Sequence, residues 1–187
     1  MKSGVRVLGV AESYRGATST LAGAVVRADR VVDGFVFGQC TVGGSDATPS
    51  VIELFDRLDR PDVRYVLLSG IAPAWYNLLD LHAIAEAVDR PVLSVSFEDS
   101  EGLEPALRDA FDGEALVRRL ETYRDQPPRR AVDLDGETVY VRAVGCSGSE
   151  ADRIVRAFTP EGGRPEPLRV AREAARAAAA FRRNCER

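Results

Sequence analysis

The sequence predicts an α/β fold built on a mixed sheet, antiparallel across its first three strands and parallel after them, with helices wrapped around it. Three apolar, strand-like runs open the chain, at residues 5–10, 21–27 and 31–40. A strand, helix, strand order follows over residues 63–97, and such a βαβ unit makes the paired strands parallel. The 187 residues, 45% of them hydrophobic, suit one domain with a sizeable core, so residues 1–187 are expected to fold as a single unit.

Each element has a local cause. Ala28-Asp29-Arg30 is a polar break that suits a hairpin between the second and third runs. Thr48 followed by Pro49 predicts an N-cap and a first helical turn, and Val51, Ile52, Leu54, Phe55 and Leu58 give that helix an apolar stripe that stops before Pro61. "VRYVLLSG", residues 63–70, is nearly continuous in apolar character and predicts a central strand covered on both faces. Residues 77–80 cap a helix to Val88, and "PVLSVSF" supplies the next strand. Helical patterns at 103–111 and 114–123 are separated by Asp112-Gly113 and broken by Pro127-Pro128. Two strands flank the turn pair Asp135-Gly136, and Ser147 with Glu150 predicts a capping box for a helix to about Phe158. The Gly/Pro-rich "TPEGGRPEP" leads to a last helix over 168–183.

Charge and composition exclude several functions. Formal charge is −4, and among 25 basic residues Lys2 is the only lysine, so positive charge is carried by arginine, which forks onto carboxylates and phosphates alike. A general basic coat for nucleic acid is absent, whereas a local arginine-lined groove is compatible with this balance. Cys40, Cys146 and Cys185 are odd in number and widely spaced, which argues for a reducing, cytoplasmic setting and against a disulfide framework or structural zinc. His82 is the only histidine, so a multi-histidine metal site is excluded. No run approaches the ~18 apolar residues of a membrane span, so no membrane partner is expected.

In such a sheet ligands collect at the carboxyl ends of the parallel strands. That edge is expected to gather Glu12, Ser69 and the "GIAPAWYN" loop, with "VGCSGSE" closing the same rim. Glu12 and Asp46 are the acids available for a magnesium or manganese ion, since hard cations take oxygen ligands. Each also has a structural reading: Glu12 as a strand-end acid paired with Arg15 or Arg6, Asp46 as a turn residue ahead of a helix. Asp80 reads as a first-turn acid and His82 as a solvent-facing helical residue. Cys146, before a helix N-terminus, has a route to a lowered thiol pKa but no nearby base. Trp75 and Tyr76 are adjacent aromatics that resist joint burial, so at least one is expected to face the rim and offer a stacking surface for a base, with Asn77 and Arg15 beside it. The alternative is Trp75 plugging the core and Asn77 capping a helix. Arg169, Arg172 and Arg176 share one helix face, where phosphate contacts compete with an Arg169–Glu173 ion pair.

"RVLGVAESYRG", "TVGGSDATPSV", "VLLSGIAPAWYNLLDL", "RPVLSVSFED", "VYVRAVGCSGSEADRIVRAF" and "RPEPLRVA" together resemble the archaeal endonuclease V-like family catalogued as domain of unknown function 99, in the same order and over almost the whole chain. The chain is more distantly similar to endonuclease V, which implies a ribonuclease H-like fold. The resemblance also implies a magnesium-dependent nuclease pattern whose acids have thinned. Its first-strand aspartate falls on Ala11, its second-motif glutamate on Asp46, its Asp-Gly on Ser69-Gly70 and its Gly-His on Gly145-Cys146. Glu12 is the surviving member of the family's paired acids. What this implies is a protein that binds nucleic acid (DNA or RNA) or a nucleotide with little or no cleavage. The alternatives are a metal-dependent endonuclease or phosphodiesterase using Glu12 and Asp46, and a non-catalytic protein-interaction domain.

Overall fold

The computed structural model describes residues 1–160 and 163–185; Glu161 and Gly162 of the Gly/Pro-rich loop and the last two residues lie outside the described residues. In chain order the elements are β1 (Arg6–Arg15), β2 (Thr18–Arg27), β3 (Val32–Thr41), α1 (Ala47–Leu58), β4 (Val63–Ser69), the single turn α2 (Pro73–Tyr76), α3 (Leu81–Val88), β5 (Val92–Ser96), α4 (Glu104–Ala110), α5 (Gly113–Arg124), β6 (Arg130–Leu134), β7 (Glu137–Val144), α6 (Gly148–Ala157) and α7 (Glu166–Cys185). The seven strands form one mixed sheet in the order β3-β2-β1-β4-β5-β7-β6. β1, β2 and β3 pair antiparallel, and β1, β4 and β5 pair parallel. Beyond β5 the sheet turns antiparallel again, because the β6–β7 hairpin docks through β7.

β1 runs five residues past the predicted stretch. Val7 to Ala11 are buried on both faces and successive side chains alternate between them, so Leu8 and Val10 pack with Val51 and Leu54 of α1, while Ala11 packs with Ala171 of α7. Gly9 permits the close approach of α7: a Cβ there would stand 2.4 Å from the Pro167 backbone. Leu8, Leu54, Leu67 and Leu93 are fully buried, and each contributes about 1.5–3 kcal/mol over an exposed side chain.

Two boundaries decide where the site lies. Pairing of β1 with β4 stops at Val10↔Leu68, but pairing with β2 continues to Arg15↔Thr18. β1 therefore overhangs β4, and Glu12 sits inside a strand, not at its tip, with one flank hydrogen-bonded to β2 and the other open beside Ser69. On the far side β7 runs against β5, with Val92↔Val144 and Ser96↔Tyr140.

The start of α1 also differs from expectation. The helix begins at Ala47, with Asp46 as its flanking residue, and Thr48 lies inside the first turn. Its hydroxyl instead accepts from Asp80 N at 2.9 Å, tying α1 to the start of α3.

Candidate nucleic-acid interface at the open sheet edge

Glu12 enters the edge on the face shared with Val10, Val51 and Leu79. Ser19, fully buried on β2, donates its hydroxyl to Glu12 Oε2 at 2.5 Å. Cys40 stands opposite Ser19 on β3, and burial, followed by the charges of Asp46 and Glu12, pushes its thiol up to about 12. Both acids thus lie within electrostatic reach of one buried thiol.

Asp46 is held by its neighbours on both oxygens. Thr41 N donates to Oδ1 at 3.0 Å and to Oδ2 at 3.1 Å, and the Thr41 hydroxyl donates to Oδ2 at 2.8 Å. Asn77 Nδ2 donates to Oδ1 at 2.6 Å. Burial alone would raise this carboxyl, but the Asn77 amide and the Thr41 donors outweigh it and hold it below the usual carboxylate range. Asp46 makes no side-chain cap of α1; Asn77 Oδ1 does so by accepting from Ala47 N at 2.9 Å.

Asn77 is fully buried, so it is not a nucleic-acid contact. It serves as the polar bolt between the β3–α1 loop and the turn after β4. It does cap a helix, but that helix is α1, since α3 is capped by Asp80 accepting from His82 N and Ala83 N.

The turn before Asn77 presents Trp75. Ala74, Trp75 and Tyr76 all adopt positive φ (48°, 57° and 59°), an arrangement that costs L-residues about 1–2 kcal/mol each and persists only when neighbours enforce it. Arg119 of α5 is the enforcer: its guanidinium donates to Tyr76 O at 3.1 Å, Gly43 O at 2.7 Å and Gly44 O at 2.8 Å, and stacks 3.8 Å from the Phe111 ring centroid. Gly43, at φ 69°, has no Cβ because the Trp75 ring occupies that space. Tyr76 meets Phe111 edge-on and packs into the Leu78, Leu107 and Leu120 cluster, whereas Trp75 remains 48% exposed. Of the two aromatics, Trp75 is the one that faces solvent.

The remaining predicted residues scatter. Ser69 ends β4 at the edge, as expected, but Ala11 turns to the opposite face and packs on α7. Cys146 follows β7, whose antiparallel run carries it to the amino-terminal end of the parallel strands, so "VGCSGSE" closes the other rim and Cys146 stands in no catalytic position at this edge. Burial raises its thiol pKa, contrary to the activation a helix start suggests. Arg15 lines a separate depression with Arg182 and Arg183, on the α7 side and away from Trp75.

On α7, Arg169 pairs with Glu166 and Arg176 with Glu173, which replaces the expected Arg169–Glu173 pair. Arg172 has no carboxylate partner among the described residues and joins Arg129, Arg142 and Arg164 around a cavity of about 420 Å³ past the ends of β4 and β5. Sequence reasoning named Arg172 but missed Arg129, Arg142, Arg164 and Arg119. The one available signal was the near-exclusive use of arginine over lysine.

The donor set does not fit a two-metal centre. Asp46 is saturated by Thr41 and Asn77, Glu12 accepts from Ser19, Ser69 is neutral, and among the described residues no three His, Cys, Asp or Glu side chains converge as a metal-binding group. No helix among the described residues is long and apolar enough to cross a membrane.

Comparison with known proteins agrees with this architecture. The chain is 34% identical over 168 residues to a UPF0215 protein of Pyrobaculum calidifontis, covering 88% of this chain and 91% of that one. It is 34% identical over 153 residues to a UPF0215 protein of Thermococcus gammatolerans, covering 81% and 76%. In fold it is similar to an Archaeoglobus fulgidus protein of unknown function, with TM-score 0.84, 24% identity and coverage of 93% and 98%. It is also similar in fold to Ciona intestinalis endonuclease V in complex with inosine-containing DNA, with TM-score 0.62, 16% identity and coverage of 95% and 86%. The profile of the Endonuclease dU family matches residues 3–179, and the chain belongs to that family.

Proposed function

We propose that this protein binds nucleic acid across the open sheet edge, stacking a base on Trp75, and that its depleted acids leave it without two-metal cleavage. The observation that carries this reading is an indole packed on one side against Gly43, Tyr76 and Phe111 and left 48% exposed on the other, on a strained turn bound by Arg119. The family's description as Endonuclease dU and the DNA bound by the Ciona relative support a nucleic-acid partner. The free thiols Cys40, Cys146 and Cys185 suit a reducing, cytoplasmic setting.

A second reading is a metal-dependent nuclease using Glu12 and Asp46, favoured by the position of both acids beside Cys40. One experiment separates the two. Trp75 is the only tryptophan, so its fluorescence reports binding of single-stranded oligonucleotides containing dU, inosine or neither, with cleavage followed by gel in manganese. The expected result is a salt-dependent fluorescence change without product. Manganese-dependent cutting abolished by Glu12→Ala or Asp46→Ala would replace the first reading with the second. No response to any oligonucleotide would leave a protein-interaction domain.

A further inference from the structure

The arginine-lined cavity shares Ser69 and residues 70–72 with the approach to the Trp75 turn, but its cations come from other elements. Its floor is the carboxyl ends of β4 and β5, where Ser69 and Ser94 stand, and its walls carry Arg129, Arg142, Arg164 and Arg172. Against these four guanidinium groups the described residues set one acid on the wall, Glu98. Arg129 is anchored by Ser100 and by the Glu98 carbonyl, with Asp99 at 3.8 Å on the outer rim. Arg142, Arg164 and Arg172 have no carboxylate partner among the described residues.

The cations are built in, not merely near. Arg164 stacks 3.8 Å from the Phe97 ring centroid, Arg129 4.3 Å from that of Tyr140, and Arg142 donates to Pro127 O. Burial pulls the pKa of Arg142 down, and burial with the neighbouring Arg172 does the same to Arg164. Crowding these like charges around one partly buried cavity is unfavourable unless an anion completes them. Ser69 and the 3%-exposed Ser94 add hydroxyl groups to the lining. Planar forks plus hydroxyl donors match the oxygens of a phosphate ester, and the volume falls within the ~300–1,000 Å³ of small-ligand sites, more than a bare phosphate fills.

We propose that this cavity is a phosphate-ester site, taking the phosphomonoester of a nucleotide, either free or at the end of a strand. The site stands on the cavity alone; naming the ester a nucleotide rests on the nucleic-acid reading above. A terminal monoester carries about −1.5 to −2 charge at neutral pH, against −1 for an internal diester, and so suits four guanidinium groups better.

The test compares single-stranded oligonucleotides of one sequence bearing a phosphate or a hydroxyl at the 5′ or 3′ end, together with dUMP alone, by calorimetric titration. The expected result is a tenfold or greater gain from a terminal phosphate, or millimolar or tighter dUMP binding if the free nucleotide is the occupant. Arg164→Gln and the exposed Arg172→Gln should each remove that gain, while Arg169→Gln, on the same helix but outside the cavity, should keep it. Trp75→Ala should weaken phosphate-ended and hydroxyl-ended strands equally and leave the gain intact. Equal affinity for both kinds of end with no dUMP binding would overturn the inference, and Trp75-dependent binding of hydroxyl-ended strands would then leave the nucleic-acid reading standing. Conversely, dUMP binding lost in Arg172→Gln with no strand binding at all would uphold the site and defeat that reading.

Discussion

Asn77 Nδ2 lies 2.6 Å from Asp46 Oδ1 while its own Oδ1 receives the Ala47 amide at 2.9 Å, so one buried side chain both satisfies an acid and starts a helix. A third bond, from Nδ2 to Thr41 O at 2.8 Å, completes the bolt. Asn77→Ala orphans an N–H, a carbonyl and part of a carboxylate at once. The expected loss is about 3–5 kcal/mol by urea unfolding, because each buried unsatisfied group costs about 1–3 kcal/mol. Asn77→Asp should be at least as damaging, since it sets two carboxylates face to face. An unchanged unfolding midpoint would refute this account of Asp46.

Arg119 carries the strained turn, so Arg119→Ala removes four backbone hydrogen bonds, to Tyr76, Gly43, Gly44 and Ala115 of its own helix, and the stack on Phe111. The expected result is a stability loss of about 2–3 kcal/mol together with a red-shifted, more readily quenched Trp75 emission. Arg119→Lys should not rescue it, because a single ammonium cannot reach three carbonyls in a planar fork. Wild-type emission in the alanine variant would show that the turn holds itself.

Much of this architecture is legible in the sequence. Apolar continuity at 63–68 and the strand, helix, strand order fixed the parallel centre, and Asp135-Gly136 fixed the last hairpin. Half of the Ser147 capping box is present: Ser147 Oγ accepts from Glu150 N, while the Glu150 carboxylate turns to the Tyr65 hydroxyl. Strand direction beyond β5 was not legible: hydrophobic period says nothing about which edge a turn closes, and Cys146 was therefore expected at the wrong rim. The sequence placed Trp75 at the edge but could not separate it from Asn77, because burial of a polar side chain depends on partners distant in sequence, here Thr41 and Asp46. The arginine cavity was invisible for the same reason, being assembled from four segments.

At the other end of the sheet Arg6 and Arg60 share Asp33 and Asp62, joining β1, β3 and the loop before β4. The hydrogen bond from Arg60 lowers Asp62 from its usual 3.8 to about 2, and those from Arg6 and Arg60 lower Asp33. A carboxylate whose pKa falls on folding stabilises fully above its unfolded value and loses that contribution as pH drops through the folded one. Stability should therefore decline between about pH 4 and pH 2, and Arg60→Gln should flatten that decline. Both acids are partly exposed, so 0.5 M salt should weaken the effect. Urea midpoints from pH 5 to pH 2 provide the check.

Placing an aspartate at position 11 tests whether β1 can present an acid there to the open edge. Ala11 is 5% exposed and packs on Ala24, Val26 and Ala171 beneath α7, facing away from Glu12. Ala11→Asp would bury a carboxylate in that cluster, at a cost on the order of 3 kcal/mol. Burial raises such a group, so the loss should be full at neutral pH and should diminish as the solution is acidified toward pH 4. No gain in manganese affinity is expected by calorimetry. Manganese binding without loss of stability would mean that β1 presents this residue to the edge after all.

Trp75→Ala separates the exposed aromatic from the scaffold that holds it. The indole is half-exposed and contacts Gly43, Tyr76 and Phe111 along one side, so truncation should lower stability by no more than about 1–2 kcal/mol. Binding should suffer more: a base stacked on an aromatic ring is worth about 1–3 kcal/mol, or roughly 5- to 150-fold in affinity. Trp75→Phe should restore most of this, because stacking asks for a flat ring and not for the indole N–H. The loss should also persist at high salt, unlike the loss from an arginine substitution, since stacking is not screened. Fluorescence anisotropy of a labelled single-stranded oligonucleotide at 50 and 200 mM salt reads both properties. Equal affinity of Trp75→Ala and wild type at both salts would move the contact surface away from this turn.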